Sequence, residues 1–117
     1  MGVSAVKKLE IIIRPEMLES LKVLLNKHNA GGMTVMSVMG CGNQKGDVSE
    51  FKGMRLNMNL IPKIMAIVVV QDNVVNDLLV EIQEKLSSGR VGDGKVFVYD
   101  VQEAMRIRTG ERGTVAV

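Results

Sequence analysis

Aromatic residues are nearly missing from this chain: there are two Phe, one Tyr and no Trp. The core therefore has to be built from Val, Ile, Leu and Met. The shortage also removes the stacking platforms on which single-stranded nucleic-acid binders rely. Cysteine is reduced to one, Cys41. That excludes an intrachain disulfide or a cysteine zinc cluster and suits a reducing, cytoplasmic setting. A charge excess is lacking as well: the net charge is +2, too balanced for a general DNA or RNA binder. No apolar run reaches the length of a membrane span. Met1-Gly2-Val3-Ser4-Ala5-Val6 is too short for a signal peptide, and Val6 stands where a myristoylation signal needs Ser or Thr. What is present is 117 residues, 46% of them hydrophobic. That is enough for a single globular domain over residues 1–117 with one core.

Lys8 to Arg14 reads as a strand rich in β-branched residues, and Pro15 suits the first position of a helix. Met17, Leu18, Leu21, Leu24 and Leu25 then lie on one helical face, closed by Asn29-Ala30-Gly31-Gly32. Met33 to Met39 is a second strand. Ile64 to Val70 is a near-continuous apolar run, predicting a strand buried on both faces or at a subunit contact. Asp72-Asn73 offers an N-cap to a helix marked by Val74, Val75, Leu78, Leu79, Ile82 and Leu86. Ser87-Ser88-Gly89 ends it, and Val96 to Val101 is a fourth strand.

The order is β-α-β, long connection, β-α-β. The halves superpose with Ile13 on Val70, Pro15 on Asp72, Met17 on Val74 and Leu21 on Leu78. A repeated unit of this kind predicts an α+β, ferredoxin-like fold: a four-stranded antiparallel sheet with both helices on one face. The other face still carries apolar side chains from all four strands, which predicts an oligomer. The connection from Cys41 to about Pro62 mixes charges with Phe51, Met54, Leu56, Met58 and Leu60. It is far longer than the usual loop of ~4–6 residues. It reads either as a protein-binding finger that orders on contact or as an ordinary flexible hairpin.

Two loops combine glycines with a lysine. Ser88-Gly89-Arg90-Val91-Gly92-Asp93-Gly94-Lys95 links a helix to a strand, and Gly40-Cys41-Gly42-Asn43-Gln44-Lys45-Gly46 follows a strand. Glycines let a backbone approach an anion, and clustered N–H groups form an anion-binding concavity. Neither loop fits the G-x-x-x-x-G-K-[ST] or G-x-G-x-x-G patterns. By local spacing alone, a phosphate site and a bare turn both remain open.

Taken with the topology, five blocks carry a resemblance to the PII signal-transduction proteins, covering about Lys7 to Gly113. They are Gly32-Met33-Thr34-Val35, the loop from Gly40 to Gly46, Leu60-Ile61-Pro62-Lys63, Gly92 to Val98, and Arg106-Ile107-Arg108-Thr109-Gly110-Glu111. The resemblance implies a homotrimer with nucleotide sites in clefts between subunits, where ATP and ADP compete. It implies that 2-oxoglutarate enters beside Mg²⁺ when Mg-ATP is bound. It further implies a T-loop, here about residues 42–60, that controls a partner: an ammonium transporter, or an enzyme or regulator of nitrogen metabolism. A B-loop at about 88–95 and a C-terminal loop at about 102–117 complete the outline.

By the same resemblance, Thr34, Gly40, Gly42, Asn43, Gln44, Gly92, Asp93, Gly94, Lys95, Arg106 and Arg108 are the expected nucleotide-binding residues. Thr34 falls near the adenine, and the two arginines come from the neighbouring subunit. Gln44 is the expected Mg²⁺ ligand. Gln44, Lys45, Gly46 and Lys63 are expected around 2-oxoglutarate. Phe51, Lys52, Met54, Arg55, Leu56 and Met58 are the expected partner contacts.

Several positions depart from the family pattern. Leu56 stands where many bacterial relatives carry the uridylylated tyrosine, and without a hydroxyl it cannot take that modification. Glu50 stands at the usual position of a phosphorylated serine, with Ser49 one residue earlier. Asn43 replaces a common arginine or lysine. Ile67 replaces a frequent glutamate, a change expected to loosen nucleotide selection.

The remaining residues of note read more plainly. His28 is a solvated or capping residue. Cys41 is a small turn residue, with a redox switch as the alternative. Met33, Met36, Met39 and Met65 fill the core. Lys7, Lys8 and Arg14 are solvated strand ends. A small phosphotransferase is the competing function class, and it is disfavoured because no nucleophile, catalytic histidine or paired acids accompany the glycine loops. Within the regulator class, the alternative is an adenylate energy sensor that does not respond to 2-oxoglutarate and controls a different transporter or metabolic enzyme.

Overall fold

The computed structural model describes residues 5–30, 32–41, 48–51, 54–57 and 60–117, with 48–51 and 54–57 described by their backbone. Strand β1 (Val6–Ile13) leads through extended Arg14 into a 3-10 turn, Pro15–Met17, and then helix α1 (Leu18–Lys27). Arg14 adopts φ −65° and ψ 143°, the conformation that a following proline imposes. Strand β2 (Met33–Gly40) follows, then a hairpin of β3 (Val48–Phe51) and β4 (Met54–Asn57). Strand β5 (Ile61–Gln71) runs through a second 3-10 turn, Asp72–Val74, into helix α2 (Val75–Leu86). Strand β6 (Gly94–Asp100) closes the sheet, and the chain ends in a 3-10 turn, Gly113–Ala116.

The main sheet has the order β2-β5-β1-β6, antiparallel throughout. This is the ferredoxin-like fold that the repeated β-α-β unit predicts. The repetition extends to the helix entries, since each helix is preceded by a three-residue 3-10 turn at matching positions.

Alternation along the strands assigns the faces. Leu9, Ile11 and Ile13 of β1 and Ala66, Val68 and Val70 of β5 are buried against Leu21, Leu24 and Leu25 of α1 and Val75, Leu78, Ile82 and Leu86 of α2. Leu21, Leu25 and Leu78 have no exposed surface, and each such side chain contributes about 1.5–3 kcal/mol of burial. Among the described residues, no helix lies over the other sheet face. Cross-strand register places Thr34, Met36, Ile67, Met65, Glu10, Ile12, Phe97 and Tyr99 there.

Some sequence expectations change. Strand β5 begins at Ile61 rather than Ile64. It tolerates Pro62 because β1 pairs only from Ile64 onward, so at Pro62 the strand has β2 alone as a neighbour. It is buried on its helix-facing side and only partly covered on the other. Asp72 and Asn73 do not cap α2, whose N-cap residue is Val74, with no side-chain capping bond. Asp72 instead faces Lys7 at 3.6 Å. The turn after α1 falls at Asn29, with φ 57°, within the closing segment that the sequence predicts. The Ala30 N–H returns to the Leu25 carbonyl at 2.8 Å, the bond that closes a helix through a left-handed residue.

Side-chain roles change as well. Lys7 is buried and donates to Asp100 at 2.7 Å, and that bond, opposed by desolvation, raises its pKa. Lys8 sits 4.7 Å from the Tyr99 ring centre and 3.2 Å from Glu10. His28 is the C-cap residue of α1, as expected, and its Nε2 also pairs with Glu81 across the two helices. Met36 and Met39 are exposed on the edge strand β2, while Met33 packs on the core.

Candidate functional site

The segment between α2 and β6 is shaped by its glycines. Gly89, Gly92 and Gly94 have φ of 79°, 99° and 115°, in the region that side-chain-bearing residues avoid. At Gly94 the constraint is absolute, because a Cβ there would lie 1.8 Å from the Ile12 carbonyl oxygen. The close approach is what lets the loop enter the sheet beside the end of β1.

Asp93 pins the loop to itself. Its carboxylate accepts from the Ser88 N–H at 2.8 Å, the Ser88 hydroxyl at 2.6 Å and the Gly89 N–H at 3.0 Å. The Ser88 hydroxyl is the main cause that lowers its pKa, with the two N–H groups and the Arg14 charge adding to it against desolvation. Two N–H groups that the sequence offered to a phosphate, those of Ser88 and Gly89, are thus used internally.

Two cations hold the outer half of the loop. Arg14 Nε donates to the Gly92 carbonyl at 3.1 Å and Arg14 Nη2 to the Val91 carbonyl at 2.9 Å. Lys63 Nζ donates to the same Gly92 carbonyl. Lys63 reaches it from the stretch of β5 that extends past β1 beside Val38 to Gly40 of β2.

Between that ribbon and the loop lies a cavity of about 490 Å³. Its walls include Ile12, Gly40, Cys41, Lys63, Arg90, Gly92, Gly94 and Lys95. Three cationic side chains thus border one space, and its one acid, Asp93, is neutralised by loop donors and Arg14. The arrangement suits a polyanion. Cys41 is exposed at its wall and not packed in a turn.

Of the expected site residues, the structure brings together Gly40, Lys63, Gly92, Asp93, Gly94 and Lys95. Thr34 lies on edge strand β2 opposite Ile67, six residues before Gly40. Arg106 and Arg108 follow β6, whereas the loop precedes it. Spanning β6 takes roughly 20 Å at ~3.3 Å per residue, so these arginines do not meet the loop of their own chain. Arg106 instead pairs with Glu111 and donates to the Val115 carbonyl at 3.0 Å. Gly42, Asn43, Gln44, Lys45, Gly46, Lys52 and Met58 lie outside the described residues. Phe51, Met54, Arg55 and Leu56 belong to the β3–β4 ladder, with Phe51 opposite Met54 and Ser49 opposite Leu56. The long connection therefore contains a hairpin.

Sequence reasoning missed Arg14 and the pinning role of Ser88. A basic residue at a strand end looks solvated until the β1–β6 register sets Ile13 beside Gly94. Among the described residues no group of three or more His, Cys, Asp or Glu is placed to hold a metal. No helix among them is long and apolar enough to cross a membrane.

Known proteins match this fold and loop. The family model described as nitrogen regulatory protein P-II matches residues 6–111. The P-II proteins of Rhodospirillum rubrum and Porphyra purpurea are each 40% identical over 111 residues, covering 95% of this chain and 99% of theirs. Among solved structures, GlnK of B. subtilis aligns with a TM-score of 0.80 at 34% identity, covering 96% of this chain and 98% of its own. PII of Arabidopsis thaliana bound to citrate aligns with a TM-score of 0.77 at 32% identity, covering 97% and 94%. With the ferredoxin-like sheet and the glycine loop in place, these matches assign the chain to the nitrogen regulatory protein P-II family.

Proposed function

We propose that the protein is a signal transducer that senses ATP and ADP, and 2-oxoglutarate with Mg-ATP, in clefts between the subunits of a homotrimer. It reports them to a partner through the segment at about 42–60. The observation that carries this reading is the cationic cavity at the glycine loop, bordered by Lys63, Arg90 and Lys95. Polyphosphates are matched there by charge and by backbone N–H groups.

The separation of Arg106 and Arg108 from the loop of their own chain supports a shared cleft. They can reach phosphates only on another copy, and the uncovered sheet face offers a surface on which copies meet. Thr34 would lie near the adenine. Gly42, Asn43 and Gln44 would line the second wall. Mg²⁺ would be held by Gln44 and the phosphates, supplying charge neutralisation. The fit of Mg²⁺ rests on the donor chemistry of Gln44, an amide oxygen suited to a hard cation.

Lys63, with Gln44, Lys45 and Gly46, would hold 2-oxoglutarate. A citrate complex of the Arabidopsis relative supports the view that this fold accepts small carboxylates. The partner is proposed to be an ammonium transporter or a nitrogen-metabolism enzyme, met in the cytoplasm through Phe51, Lys52, Met54, Arg55, Leu56 and Met58. Each ligand acts by binding one state of the 42–60 segment better than another.

Calorimetry with the purified full chain tests this. ATP and ADP are expected to bind, and 2-oxoglutarate is expected to give heat only when Mg-ATP is present. Heat from both nucleotides but none from 2-oxoglutarate would replace this reading with the adenylate sensor. Binding of neither nucleotide would overturn both.

A further inference from the structure

Among the described residues, Arg14 is the one side chain that grips two successive carbonyls of the glycine loop. Its Nε and Nη2 donate to Gly92 and Val91 at 3.1 and 2.9 Å. The chain has no cis peptide bond among the described residues. In a trans peptide the C=O and the following N–H point in opposite directions. Holding the Val91 carbonyl toward Arg14 therefore turns the Gly92 N–H away from it. Holding the Gly92 carbonyl does the same for the Asp93 N–H. Neither N–H has an acceptor among the described residues. Those of Ser88 and Gly89, by contrast, are taken by Asp93.

We propose that Arg14 is a positioning residue of the phosphate loop, aiming the Gly92 and Asp93 N–H groups outward at nucleotide phosphates. The inference rests on the nucleotide reading above. The grip needs a planar fork, which lysine does not have. Lys63 shares only the Gly92 carbonyl, so it cannot replace the hold on Val91. Asp93, 3.8 Å from Arg14 Nε, links the grip to the pinned half of the loop.

The test uses the full chain as native protein, Arg14→Met and Arg14→Lys. Without nucleotide, the amide resonances of Gly92 and Asp93 are expected to move or broaden in Arg14→Met, while those of Leu9 and Val68 in the core stay in place. ATP and ADP affinity is expected to fall roughly 10-fold or more in Arg14→Met. Arg14→Lys should fall between it and the native protein. A merely structural role would disturb the core amides as well. Native affinity in Arg14→Met overturns the proposal and leaves the nucleotide reading standing. If Arg14→Met does not fold, Arg14→Lys decides: native affinity with unmoved Gly92 and Asp93 amides overturns the proposal. A native protein that binds neither nucleotide overturns the nucleotide reading, and the proposal with it.

Discussion

Gly94 is the point at which the glycine loop touches the sheet. Its φ of 115° and the Ile12 carbonyl at 1.8 Å from a built Cβ leave no room for a side chain. Gly94→Ala should lower stability by roughly 3 kcal/mol or more, because backbone must shift in both strands. Gly32→Ala is a fitting control: its Cβ would meet nothing within 4 Å and its φ is not in the left-handed region. It should be neutral or stabilising by about 0.4–1 kcal/mol. Urea denaturation of the two variants checks both, and equal midpoints would refute the contrast. The glycine spacing of this loop was readable in the chain, but the left-handed backbone that it adopts was seen only in the structure. The direction of the Asp93 carboxylate was not readable, because Ser88, Gly89 and Arg14 compete for it only once the loop has closed.

At the level of elements, the two helices are joined by a small charged cluster as well as by packed leucines. Glu81 on α2 accepts from His28 and, at 3.0 Å, from Lys27. The bond to His28 is the largest cause that holds the Glu81 carboxyl below the ordinary glutamate range. A lowered carboxyl pKa in the folded state stabilises fully above the unfolded value and fades as pH falls through the folded one. Glu81→Gln should therefore be less stable than the native protein at pH 7, and the two should converge below about pH 4. Chemical denaturation across that range checks this, and a difference that persists unchanged at pH 2 would rule the linkage out. Both helices were legible from the period of their leucines and valines. The 3-10 turns that start them, and the missing caps, were not. Packing of the following turn against the sheet stabilises the entry without a capping side chain, and Asp72 is drawn to Lys7 instead.

For the whole molecule the consequential feature is the sheet face that no helix among the described residues covers. Phe97 and Met36 are 45% and 40% exposed on it in a single chain. Burial between copies would remove that apolar surface from water. Light scattering should give three times the chain mass of 12.8 kDa. Phe97→Glu should shift the protein toward monomer, since a carboxylate is costly to bury unpaired. If the proposed shared cleft holds, it should also weaken ATP binding, because a separated subunit would lose the arginines of its neighbour. A native-size assembly with native ATP affinity in Phe97→Glu would place the interface elsewhere.

Periodicity, turn residues and composition determined the element order, the helix-facing core and the all-aliphatic interior. Each is set by local backbone preference and by which side chains leave water. Tertiary structure alone decided that Arg14, Lys63 and the loop from Ser88 to Gly94 form one site. Arg14 and Gly92 are 78 positions apart, and only the antiparallel pairing of β1 with β6 and β5 brings them together. It also decided that Lys7 is buried and paired, and that Arg106 turns to Glu111 in its own chain. The physical reason is the same in each case. A charged side chain chooses its partner by distance in space, and that distance is set by sheet register, which no stretch of residues encodes by itself.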